Sequence, residues 1–360
     1  MTPNSLSQLL AVFRMEMRKT FLARRGLWIY ALAFAPVLLY AANTIYAPRE
    51  RARLAAQAAA HPGATPAALQ SLHPGMTHDE VVKLLGDPYA QRSERRRIGP
   101  DRILDRNVLR YTDGEGDYRL QFNDGVLRGI GRTDPGTLPE DRLIFAAIFQ
   151  FYYLRLAVFF GCCGIFINLI RGEMLDKSLH YYLLTPLPRE LLLAGKFLAG
   201  LVATVVIFTT STALQLAVML WQFDGPTVTA YLHGTGWAEI TSYLGVTGLA
   251  CLGYGSVFLL AGLFFRNPII PAAVALIWES INLFVPATLK LFSVIFYLQS
   301  LCPVAPPADS TMPAILAALI SVAEPATLTR AVVTVVLLAA VMLALALRSA
   351  RKLEINYSTD

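Results

Sequence analysis

The sequence predicts a polytopic α-helical membrane protein. It would have six transmembrane helices, N- and C-termini both cytoplasmic, and a small α+β extracytoplasmic domain between the first two spans. Three observations carry that expectation. The 360-residue chain is 55% hydrophobic and only 16% charged, with a mean hydropathy of +0.49, whereas soluble domains average about a quarter charged residues. Several runs reach the roughly 20 apolar residues that a helix needs to cross a bilayer. Lys and Arg gather on alternate connections, the asymmetry that fixes orientation.

Residues 1–26 come first. Leu6, Leu9, Leu10, Phe13, Met17 and Phe21 recur at helical spacing among Arg14, Arg18, Lys19, Arg24 and Arg25. That pattern suits a cytoplasmic amphipathic elbow helix along the inner leaflet, or a docking surface. The first span, 27–46 (LWIYALAFAPVLLYAANTIY), has no charge and carries aromatic residues at both ends, where interfacial anchoring places them. It is too long for a cleavable signal and lacks a processing end. PRERARLAAQAAA at 48–60 extends it as a helix beyond the bilayer.

The insert, 47–141 with a core at about 72–132, reads as a folded domain. Thr77 and Glu80 form a capping box, Val81, Val82, Leu84 and Leu85 give an apolar stripe, and Gly86 then Pro88 stop the helix. Strands are expected at 107–111, 117–122 and 126–130. They are joined by the DGEG turn and by Asn123-Asp124-Gly125, a hairpin signal. Arg95, Arg96 and Arg97 read as a solvated loop rather than a binding patch. Acids and bases nearly balance in the insert, so the net charge of +6 arises from the membrane part and its inner flanks. That argues against a nucleic-acid partner.

Residues 142–347 hold the remaining spans, at about 147–170, 197–221, 239–264, 269–286 and 327–347. The run 269–301 is too long for one crossing. Pro286 and Lys290 divide it into a span and an outer re-entrant segment, 287–301, whose irregular backbone needs protein or water around it. Arg171, Lys177, Arg189 and Lys196 flank spans two and three, Arg266 follows span four, and Arg348, Arg351 and Lys352 open the 348–360 tail. The 222–238 connection has no Lys or Arg and 287–326 has only Lys290, so those face outward.

Between spans two and three lies RGEMLDKSLHYYLLTPLPRELLLAGK, 171–196, which lipid cannot solvate cheaply. A helix at about 172–188 with Leu179, Tyr181 and Tyr182 flanked by acid and base suits the groove of a soluble partner. The alternative is an interfacial helix on headgroups, but Glu173 and Asp176 oppose an anionic surface and the length suits a docked helix, so coupling is favoured. Glu279, one turn from Asn282, is the most deeply placed acid. Such groups mark a pathway or a structural pair, here with Arg155 or across a dimer. Gln215 and the run Thr209 to Thr212 would line a cavity or bond their own helix. Gly245, Gly248, Gly253, Gly255 and Gly262 suit close helix packing. Cys162, Cys163, Cys251 and Cys302 form no disulfide framework, and His180 and His233 make no metal site. No phosphate-cradling Gly-x4-Gly-Lys-Ser/Thr exists: Gly195-Lys196 runs into Phe197. No ATPase is therefore expected in this chain, which by itself is expected to be no enzyme and to bind no cofactor.

Two resemblances follow. LHPGMTHDEVVKLLGDP followed by LQFNDGVL, within Leu72 to Arg132, resembles the small lipoprotein of the outer-membrane β-barrel assembly machinery, which implies a fold used for docking more than a function. The basic arm, the outer insert, RGE with KSLHYYLLTPLPR and GKFLAG, and the tail KLEINY resemble type-2 permeases of ATP-binding-cassette exporters. The outer loop is longer here than in most of them. That resemblance implies a coupling helix docked on a cytosolic ATPase, carried by Glu173, Asp176, Lys177, Leu179, His180, Tyr181, Tyr182 and Arg189. The motif extends to Ser178, Leu184, Pro186 and Lys196. It also implies ATP and Mg on that partner, a second copy or paralogous permease, a bacterial inner membrane, and an envelope partner for the insert. An ion-coupled secondary transporter would want charges in several spans and internal repeats. A membrane-anchored docking or sensor protein need not have six spans.

Overall fold

Backbone groups in hydrocarbon must pair within their own segment, so apolar runs of this length fold as helices. The computed structural model describes residues 3–22, 26–97, 103–134, 136–175, 188–265, 267, 269–282, 284–306 and 324–351. Among them, five helices are long and apolar enough to cross a membrane. The chain divides into two compact units, 41–142 and the remainder. Helix α1 (Pro3–Leu22) is followed by α2 (Leu27–Ala60), one unbroken helix of 34 residues.

In the 41–142 unit, α3 (Pro66–Gln70) is capped by Thr65 and α4 (His78–Leu85) by Thr77. The Thr77 hydroxyl accepts from the Glu80 N–H at 3.4 Å, while the Glu80 carboxylate accepts from the Thr77 N–H at 2.9 Å. Gly86, at φ +75°, ends α4 in a conformation a side chain would resist. Four antiparallel strands follow in sequence order: β1 (Ala90–Arg97), β2 (Ile103–Thr112), β3 (Asp117–Asn123) and β4 (Val126–Thr133). Asp124 and Gly125, both at positive φ, close the β3–β4 hairpin. The free edge of β4 is partly covered by 75–78, with Leu127 and Met76 joined at 2.8 Å. Val81 and Leu85 of α4 pack on Leu109, Tyr111, Leu120, Phe122 and Leu127. The Tyr111 hydroxyl, pushed up to about 12 by burial and then by the charge of Asp87, donates to the Gly86 carbonyl at 2.9 Å. It thereby ties the end of α4 to the sheet.

β1 departs from the expectation. Arg95, Arg96 and Arg97 are not a loop but pair with Asp105, Leu104 and Ile103. AQRSERRR carries no apolar alternation because an edge strand needs none. Charge on an edge strand instead deters edge-to-edge association.

Helix α5 (Leu138–Ala147), whose first residues belong to the 41–142 unit, is followed in the other unit, without a break in helical structure, by an 11-residue π-helical stretch (Ile148–Val158) and α6 (Phe159–Leu175). After it come α7 (Arg189–Trp221), α8 (Gly225–Tyr231), a π turn (Leu232–Gly236) and α9 (Trp237–Phe264). Helix α10 (Ile269–Ile281), α11 (Ala287–Lys290), α12 (Val294–Ser300) and α13 (Leu328–Arg351) complete it. The span expected over 269–286 is shorter: α10 has 13 residues, roughly 20 Å of rise against the roughly 30 Å of a bilayer core. The chain turns after it and comes back through α11 and α12. Tyr297 of α12 packs with Ala331 and Val335 of α13.

Small residues set the closest approaches. A Cβ on Gly255 would meet the Phe166 ring at 2.5 Å, and one on Gly262 would meet the Ile167 backbone at 3.3 Å. Gly253 faces Val335 and Val294. Gly245 and Gly248 do not fit this explanation, since nothing lies within 4 Å of a Cβ at either. Large apolar side chains remain exposed on α2, α10 and α13, among them Leu38, Leu39, Ile269, Val274, Leu337 and Val341. A helix that presents such faces is stable against lipid or another apolar surface.

Candidate functional site

The expected partner-facing segment lies mostly outside the described residues: Asp176, Lys177, Ser178, Leu179, His180, Tyr181, Tyr182, Leu184 and Pro186 all fall there. Glu173 sits in the last turn of α6, and Arg189 is the exposed first residue of α7. Lys352 and the rest of the tail also lie outside them.

The start of α7 is fixed on two sides. Lys196, expected at a membrane surface, is instead two turns inside the helix and 2% exposed. Its Nζ donates to Oε1 of Glu16, itself 3% exposed, at 2.8 Å. Helix α1 can lie this close because position 195 is glycine: a Cβ there would meet Val12 Cγ1 at 2.8 Å. The buried face of α1 is thus centred on Val12 and Glu16, and Leu10 of the apolar stripe is exposed. On another side, Arg351 near the end of α13 donates to the Glu190 carboxylate. Glu16 was missed by sequence reasoning. Its signal is its position four residues after Val12, on one helix face, 180 residues from a cation with the same problem.

Deeper in the bundle, polar side chains join neighbouring helices. Ser211 donates to the Ala33 carbonyl of α2 at 2.5 Å, and Gln215 Nε2 donates to Ser211 Oγ at 3.0 Å. Tyr153 donates to the Phe208 carbonyl at 2.6 Å, and Thr212 meets Thr247 at 3.2 Å. Thr209 and Thr212 also bond carbonyls of their own helix, at 2.6 and 3.0 Å. A stack formed by Phe145, Phe149 and Tyr153 runs along the second span against Tyr243.

Glu279 is buried, and its carboxylate caps the returning segment. It accepts from Ser293 Oγ at 2.8 Å, from the Val294 N–H at 3.0 Å and from the Ile295 N–H at 2.9 Å. An acid suits that place because the first N–H groups of a helix have no internal acceptor and carry partial positive charge. Arg155 lies within electrostatic range of Glu279 and Tyr254, yet its Nε and Nη2 make no hydrogen bond with any described residue. Asn282 is buried next to this group, one turn on from Glu279. Gln215 belongs to the α2–α7 network rather than to this cluster. Tyr254 and Ser293 were not singled out in the sequence, where they sit inside apolar runs with no local sign of a partner.

Among the described residues, no group of three or more His, Cys, Asp or Glu side chains could hold a metal ion. The four cysteines are free thiols, and Cys162 Sγ faces the Cys251 carbonyl at 3.9 Å. Among the described residues, the arrangement provides a helix bundle with a buried ion pair at the start of α7, a polar network joining α7 to its neighbours, and a buried polar cluster around Glu279, Arg155 and Tyr254.

A family model described as ABC-2 family transporter protein matches residues 10–351. No curated protein and no solved structure matches the chain.

Proposed function

Because the chain belongs to the ABC-2 family of transporter proteins, we propose that it is the permease subunit of an ATP-driven exporter in a bacterial inner membrane. Permeases of this family normally pair with a separate ATP-binding subunit, and in this reading that partner, not this chain, would hold ATP and Mg. The single observation that carries the reading is the match over 10–351, which takes in the five described helices that are long and apolar enough to cross a membrane. Two permeases, identical or paralogous, would pair about a two-fold axis. The exposed apolar faces of α10 and α13 suit either that contact or lipid.

In this reading the connection between α6 and α7 docks on the ATPase through Glu173, Asp176, Lys177, Leu179, His180, Tyr181, Tyr182 and Arg189. Helix α7 starts right after that connection and is tied to α1 by Lys196 and to α13 by Glu190. Displacing the connection therefore moves more than one helix. ATP-driven closure would rock the paired bundles, with Arg155, Gln215, Glu279 and Asn282 along the route. The 41–142 unit would cap the exit or dock an envelope partner.

The test coexpresses the full chain with candidate ATPases. The wild type should copurify with an ATP-hydrolysing chain. Glu173→Lys, or deletion of 176–186, should abolish transport-linked hydrolysis. Unchanged hydrolysis and transport in both variants would refute the assignment of this segment. Deleting 62–135 should leave ATPase assembly intact and impair delivery.

A further inference from the structure

Arg155 has the most unusual surroundings in the bundle. It is carried by the π-helical stretch Ile148–Val158, and mid-helix π geometry recurs at functional sites because it re-aims side chains. Its guanidinium lies over the Phe151 ring, 5.7 Å from the centroid. Nε and Nη2 are both buried and neither has an acceptor among the described residues. These two nitrogens border the same edge of the planar group, so their N–H bonds point the same way. That edge grips a carboxylate or phosphate through two oxygens at once.

Among the described residues, the acid within electrostatic range is Glu279, and it is already occupied by Ser293, Val294 and Ile295. Tyr254, 2% exposed and within electrostatic range of Arg155, has a hydroxyl with no hydrogen bond to any described residue, and Asn282 Oδ1 has none among them either. Unpaired buried donors are costly, and a guanidinium most of all. The cluster is not sealed in the core, because Phe151 is 46% exposed.

We propose that the Nε–Nη2 edge of Arg155, with the Tyr254 hydroxyl as a further donor, binds an oxyanion, phosphate or carboxylate, of the transported molecule. Phe151 offers an apolar surface for the part of that molecule next to its charge. This rests on the reading that the cluster lies on the transport route, and it names the substrate class: an anion. Glu279 serves the site indirectly by holding the turn between α10 and α12, and is a positioning residue.

The experiment uses the full chain, purified in an uncharged detergent without any ATPase. Thermal stability is measured against dodecyl phosphate, dodecanoate, inorganic phosphate and dodecyltrimethylammonium. Saturable stabilisation by the first two is expected. Arg155→Gln should remove it, and Tyr254→Phe should weaken binding by roughly tenfold, one charge-assisted hydrogen bond. Inorganic phosphate that stabilises equally well would support a free oxyanion as the ligand. Inert inorganic phosphate beside active dodecyl phosphate would support a headgroup. If Arg155→Gln is not recovered folded, Arg155→Lys decides the matter. It keeps the charge but loses the fork, and should weaken binding comparably. Equal responses in wild type and Arg155 variants, or an equal response to the cationic amphiphile, would overturn the proposal. Because no ATPase is present, flat binding alongside intact ATP coupling sinks this inference alone. Lost coupling assignments with intact binding sink the export reading and spare the site.

Discussion

Replacing Lys196 by Met removes one member of an ion pair whose two side chains are 2% and 3% exposed. At 2.8 Å and an effective dielectric near 20, the attraction is about 6 kcal/mol before desolvation is subtracted. Breaking such a pair from one side costs about 3–5 kcal/mol, because the remaining charge stays buried. Here Glu16 keeps Lys19 at 3.8 Å, but that ammonium is half exposed, so the lower end, about 3 kcal/mol, is expected. Removing both charges with Glu16→Leu and Lys196→Met should recover most of the loss, since apolar replacements of a buried pair are often neutral. The assay is amide exchange of residues 3–22 in the purified full chain. Opening of α1 should become about 100-fold more frequent in Lys196→Met, 3 kcal/mol at about 1.4 per decade, and near the wild-type level in the double variant. Gly195→Val, which drives a side chain into Val12, should loosen α1 while leaving the pair chemically intact. Equal exchange in the wild type and Lys196→Met, or a double variant worse than both singles, would refute the claim that this pair holds α1 on α7.

Glu279→Gln should free the returning segment. An amide presents one acceptor where the carboxylate presents two, so an N–H or the Ser293 hydroxyl meets an NH2 instead, a loss of about 1–3 kcal/mol. Protease sensitivity or amide exchange over 294–300 reads it, and unchanged protection would contradict the capping role. The 41–142 unit should weaken in acid. Backbone and hydroxyl bonds to Thr77 hold Glu80 below its usual 4.5. Burial alone would raise Asp113, but the N–H groups of Gly116 and Glu115 and the Tyr118 hydroxyl outweigh it and hold the carboxyl below 3.8. Folded values below the unfolded ones give stability that is present above pH 4.5 and is lost as pH falls through the depressed folded values. Exchange protection of 78–85, corrected for intrinsic chemistry, should therefore drop between pH 5 and pH 3, roughly the usual carboxylate range; a flat profile would contradict the assignment.

Much of the fold was legible because its signals are local. A capping box with a glycine stop spells out α4 within ten residues, Thr77 to Gly86, and the Asn-Asp-Gly turn spells out the β3–β4 hairpin. Long apolar runs translate into helices because hydrocarbon leaves the backbone no other partner. β1 was missed for the opposite reason. Its strand state is decided by pairing with 103–110, and nothing within AQRSERRR announces it. The 13-residue length of α10 was likewise hidden, since Leu283, Phe284 and Val285 carry the apolar run past its end as far as Pro286.

Charges in apolar stretches were harder, because composition says that a buried charge needs a partner and never says which one. Lys196 was placed at a membrane surface on the sound rule that lipid will not solvate it. The rule has a second solution, which the chain uses: burial against Glu16 from a helix 180 residues earlier. Glu279 shows the same ambiguity. Its position invited an arginine as partner, yet its oxygens go to two backbone N–H groups and a serine hydroxyl on the returning segment. A carboxylate satisfied by backbone leaves no trace in the sequence, because every residue has an N–H to offer. What it does leave is a cation without its acid, and that is why Arg155 is the residue to probe.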